Sequence, residues 1–125
     1  MTVQKTSTLK PFEKGDIFLG CTYLNNPNDD HMGEGRVLQF DKNWIAKGTW
    51  YTTGTRYFIV GCTFAPDGTL WAFDCHDHIA IRATPDAKEL PPWDMGRAFG
   101  SVNWDRAGNH YFGEYFIGKH IWKGT

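Results

Sequence analysis

Long apolar runs are missing from this sequence. No stretch approaches the ~18 apolar residues of a membrane-spanning helix, and the opening MTVQKTSTLKPFEKG lacks the apolar centre of a secretory leader. Charge bias is missing too. Thirteen basic side chains stand against 14 acidic ones, so neither nucleic acid nor a membrane surface is expected as a partner. Paired cysteines are lacking: Cys21, Cys62 and Cys75 are odd in number and follow no zinc or disulfide spacing, which excludes a disulfide framework and points to the reducing cytoplasm. Helical periodicity is lacking as well, because no window repeats apolar residues at i, i+3, i+4 and i+7 over three turns.

What is present is 14 glycines and 20 aromatic residues in 125 positions, the balance of an all-β protein rich in turns. One domain, residues 1–125, is expected from the length. Runs of Val, Ile, Phe, Tyr, Trp and Thr alternate with Gly, Asp, Asn and Pro, and predict strands at 16–21, 36–41, 45–51, 57–64, 69–74, 78–84, 99–104, 110–115 and 119–124. A further short run, KELPPW (88–93), is confined to a sheet edge because Pro91 and Pro92 cannot donate to a ladder.

The runs repeat. TFAPDGTLWAFD (63–74) aligns with NWDRAGNHYFGEY (103–115) at a step of 40 residues, Gly68 on Gly108, and EKGDIFLGC (13–21) has the same form around Gly15. Four short strands per 40 residues predict propeller blades at about 9–53, 54–95 and 96–125. With GRVLQFDKNWIAKGTW and HIAIRATPDAKEL, the pattern resembles the repeats of NHL and gluconolactonase-like six- or seven-bladed β-propellers. Three blades would leave two apolar faces open, so a partial β-propeller completed by homo-oligomerisation is expected, with a dimer favoured, or a chain that supplies the missing blades. The N-terminal VQKTSTLKPF would add a strand to the unfinished last blade. A single closed calycin-like β-barrel is the alternative.

In such a propeller the loop TYLNNPNDDHMGEG (22–35), the DCHDH segment and EYFIG would share one face with the crossings YTTGTR and WDMGR. That face gathers the candidate site. Imidazoles two apart point the same way along an extended chain, and with carboxylates beside them they can hold a divalent metal ion or move a proton. The expected metal ligands are Asp74, His76, Asp77, His78 and His31, and the expected catalytic groups His76, His78, Glu114 and Arg56, with Arg97 as a second possible anion clamp. The function expected is a metal-assisted lyase, isomerase or hydrolase acting on a small molecule. The alternative is an oligomeric ligand- or sugar-binding module without catalysis, for which Trp50, Tyr51 and Tyr57 would form a shelf. Trp93, Trp122, His110 and His120 are read as structural.

Overall fold

Three glycines set the turns that organise the chain. Gly15, Gly68 and Gly108 have φ of +91°, +86° and +88°, a region closed to most residues by their Cβ. A backbone bond closes each turn, from Asp16 to Glu13 (3.0 Å), from Gly68 to Ala65 (2.9 Å) and from Gly108 to Asp105 (3.1 Å). A second turn also recurs. Trp44 and Ala87, with φ of +63° and +67°, donate to the carbonyls of Asp41 and Thr84 at 3.0 and 2.9 Å. The repeat read from the letters at Gly68 and Gly108 is thus also a repeat of backbone geometry, whereas Gly15 stands third, not fourth, in its turn.

The structure, a computed structural model, describes residues 5–51, 59–74, 76–115 and 120–124, without the side chains of residues 25, 29–32 and 60. The chain is all-β, with no helix among the described residues and hence none long and apolar enough to cross a membrane. Among the described residues ten strands form three antiparallel sheets. The first holds β1 (Ile17–Asn26), β2 (Asp29–Phe40) and β3 (Ala46–Tyr51). The second holds β4 (Ile59–Phe64), β5 (Leu70–Asp74), β6 (Ile79–Ala83) and β7 (Trp93–Asp94), and the third β8 (Phe99–Trp104), β9 (His110–Glu114) and β10 (Ile121–Gly124). Each is an up-and-down meander in sequence order.

Two expectations are corrected. No sheet closes into a barrel, because the chain leaves each one after three or four strands and packs the next against its face. The stretch 22–35 is not a loop: Asn26 pairs with Asp29, and Leu24, Tyr23 and Thr22 pair with Gly33, Glu34 and Gly35. The Asn26 side chain accepts the Asn28 N–H at 3.0 Å, a turn bond that lets Pro27 and Asn28 reverse the chain. At 88–93 the edge assignment holds, since Glu89 bridges Ala83, the Leu90 N–H reaches the Arg82 carbonyl, and Trp93 pairs with Ala80 across the two prolines.

The second sheet is buried on both sides. Leu70, Ala72, Ile81 and Ala83 pack with Val37 and Trp50 of the first sheet, whereas Phe73 and Ala80 pack with Phe99, Val102 and Phe112 of the third. Leu70 and Phe73 are 0% and 1% exposed, each contributing about 1.5–3 kcal/mol of apolar transfer. Glycine permits the close approach. A Cβ on Gly20 would lie 2.7 Å from Ile59 Cγ2, and one on Gly61 would run into the Gly100 carbonyl. The relation repeats, since β1 lies on β4 as β5 lies on β8. The described N-terminal residues follow the outer edge of the first sheet, not the third: Thr8 donates to the Thr49 carbonyl at 2.8 Å, and Ser7 Oγ accepts the Tyr51 N–H at 2.9 Å. Gln39, fully buried, fixes that segment by accepting the Lys10 N–H (2.9 Å) and donating to the Lys10 carbonyl (3.1 Å).

Candidate functional site

Residues 76–78 form a turn between β5 and β6. Asp74, 1% exposed at the end of β5, accepts the N–H groups of His76 and Asp77 on one oxygen, Oδ1, at 2.9 and 3.0 Å. An aspartate does this where the backbone must reverse. His78 takes φ of +60°, and its carbonyl accepts the Met95 N–H at 2.9 Å, which ties the turn to the start of the crossing after β7. The chain is therefore not extended from 76 to 78, and the same-side alignment of the two imidazoles expected for a strand does not apply. Both histidines are exposed and Asp77 is half-buried.

The other sequence candidates are scattered. His31 lies on the distal half of β2, with its side chain outside the description, and Arg56, Tyr57 and Cys75 lie outside the described residues. Among the described residues no three His, Cys, Asp or Glu side chains come close enough to hold a metal ion. Trp50 is 2% exposed and is core, not shelf. Tyr51 lies under two cations, with Lys5 Nζ 5.6 Å and the Arg36 guanidinium 5.3 Å from its ring centre. Burial pushes the Cys62 thiol up to about 12 and raises that of Cys21 as well, so both stay protonated, poor nucleophiles at neutral pH.

Glu114 is where a sequence candidate meets partners. It ends β9 with its side chain 9% exposed, and Oε1 accepts the Trp122 indole N–H at 2.7 Å. The same oxygen faces Arg97 Nη1 at 3.4 Å, and Oε2 accepts the His120 N–H at 3.3 Å. The Arg97 guanidinium sits 4.3 Å from the centre of the Trp122 ring, within cation–π range. One carboxylate thus holds an indole edge and a cation that stacks on the same indole.

This cluster borders a cleft of ≈ 390 Å³ between β7 and the third sheet. Trp93 and Trp122 line it from the two sheets together with Phe99 and Phe112, and Asp94 and Arg97 are its charged groups, since the Lys123 ammonium lies over the Tyr111 ring on the other face of the sheet. The indoles are 40% and 39% exposed, so each keeps part of its surface open to solvent. His110 also lines the cleft, 5.0 Å from the Phe112 ring. Sequence reasoning picked out Glu114 and Arg97 and missed Trp93, Trp122 and His110. For the two tryptophans the signal available was their position on the outer strands of consecutive repeats, whereas His110, on the central strand β9, carried no such mark. In comparisons with known proteins, no family model and no curated protein matches the chain.

Proposed function

We propose that the chain is a ligand-binding module made of consecutive propeller blades, with its ligand in the cleft between the second and third sheets. The carrying observation is the pair of partly exposed indoles beside a buried carboxylate that fixes one of them. Apolar walls with a few placed polar groups are what small-molecule sites have in common. A thermal-shift screen of small polar molecules tests this. A stabilising compound whose effect disappears in Trp93→Ala supports the reading, and a panel without any such compound removes it.

Three observations favour the propeller arrangement: the meander order of each sheet, the repeated turn pairs, and the repeated packing of β1 on β4 and β5 on β8. In this frame β1 corresponds to β5 and β9, so the described first sheet lacks an innermost strand and the third an outermost one. A second copy of the chain completes the ring and covers the far face of the first sheet. There Ile17, Leu19, Leu38 and Phe40 pair across β1 and β2, with the Trp44 ring tilted against Phe40 at a centroid distance of 5.6 Å. Leu19 and Trp44 are 49% and 63% exposed, and apolar surface of this kind seeks a partner. Light scattering should give twice the 14.3 kDa chain mass, and Leu19→Glu should halve it. A parent protein that stays monomeric leaves a second chain type to supply the blades. Among the described residues Cys21 and Cys62 are free thiols, which fits a cytoplasmic setting.

Metal-assisted catalysis at 74–78 is the less supported reading, because Asp74 Oδ1 already holds two backbone N–H groups. A divalent metal ion there would compete with the turn itself.

A further inference from the structure

We infer that the cleft between the second and third sheets takes a neutral carbohydrate ring, which rests on the ligand-binding reading above and gives its ligand a class. The argument starts from charge. Asp94 and Arg97 line the cleft, with Glu114 behind Arg97 and the Lys123 ammonium turned away over the Tyr111 ring on the other face of the sheet, so the lining itself carries one charge of each sign. Such a lining favours neither an anion nor a cation by net charge. It offers an acceptor on the Asp94 carboxylate and donors on the Arg97 guanidinium, the complement of a ligand that carries many hydroxyls, each both donor and acceptor.

The walls supply the rest. Trp93 and Trp122, from the second and third sheets, bring partly exposed indole surface to the cleft, suited to the C–H face of a sugar ring. A flat aromatic ligand would match the indoles but would strip water from the charged groups without replacing it. The volume, ≈ 390 Å³, falls within the ~300–1,000 Å³ of small-ligand sites. Glu114 acts here as a positioning residue, since its 2.7 Å bond to the indole N–H holds the ring of Trp122 in place.

A glycan array probed with the labelled intact protein, followed by calorimetric titration of the best free saccharide, tests the inference. Binding should weaken about tenfold or more in Trp93→Ala and in Arg97→Ala, by loss of a stacking wall or of a charged donor. Trp93→Phe should fall between parent and alanine variant, and Arg106→Ala, in the turn between β8 and β9, should bind as the parent does. Circular dichroism of each variant separates lost binding from lost fold. Saccharide binding that survives both alanine substitutions lies elsewhere and overturns the inference. An array without saccharide binding overturns the carbohydrate class alone if a different compound from the thermal-shift panel still depends on Trp93, and takes the cleft reading with it if none does.

Discussion

Asp16 is a carboxylate that three donors make tolerable in a nearly closed site. Its side chain is 3% exposed, with Lys47 Nζ at 2.6 Å, Gln39 Nε2 at 3.0 Å and the Glu13 N–H at 3.0 Å. Burial alone would raise its pKa, but the bonds from Lys47, Glu13 and Gln39 together outweigh it and hold the carboxyl below its usual value. A folded pKa below the unfolded one stabilises the protein fully above the unfolded value and loses that contribution as pH falls through the folded one. Asp16→Asn should therefore cost about 1–3 kcal/mol at pH 7, and the gap should close toward pH 3. Urea midpoints at the two pH values check this, and a gap that stays constant would count against it. Asp74 and Asp16 show what was legible at this scale. DCHDH stood out by its residue types, yet the role of Asp74 depends on backbone N–H groups that every sequence carries and none displays. Asp16, in a plain turn, owes its setting to residues 23 and 31 positions away.

At the scale of the element, turns were easier to read than strands. Gly15, Gly68 and Gly108 sit where the letters put them because only glycine is at ease at that φ. The distal halves of β1 and β2 were hidden because they are polar and glycine-rich, and cross-strand pairing, not a buried face, keeps them extended. The N-terminal segment was expected to add a strand to the last blade; its described residues instead run along the edge of the first sheet without forming a strand, held there by Gln39. Replacing Gln39 with Leu leaves the Lys10 N–H, the Lys10 carbonyl and Asp16 short of a partner. We expect a loss of about 2–3 kcal/mol and release of the segment, read as faster tryptic cleavage after Lys10. Cleavage at the parental rate would mean that the Thr8–Thr49 pairing alone secures it.

For the whole molecule, the number of units was legible and their mutual packing was not. A 40-residue step is written in turn residues, whereas which strand faces which depends on surfaces such as Gly61 against Gly100 that carry no periodic mark. Gly61→Val drives a side chain into the Gly100 carbonyl, so it should cost about 3 kcal/mol or more and uncouple the third sheet. Calorimetry should show one cooperative transition for the parent and two, or one much broader, for the variant. A single sharp transition in both would place the coupling in the aromatic contacts of Trp71, Phe73 and Phe112 instead. The second sheet, sandwiched between the other two, has a consequence for time as well as for energy. Amides at 70–73 and 80–81 cannot meet deuterium from either face until a neighbouring sheet has left, so their exchange is the slowest clock in the chain. Ligand bound in the cleft would slow that clock from the Phe73 side, and ring closure by a second copy would slow it from the side of Leu70 and Ala72, by stabilising the sheet that covers them.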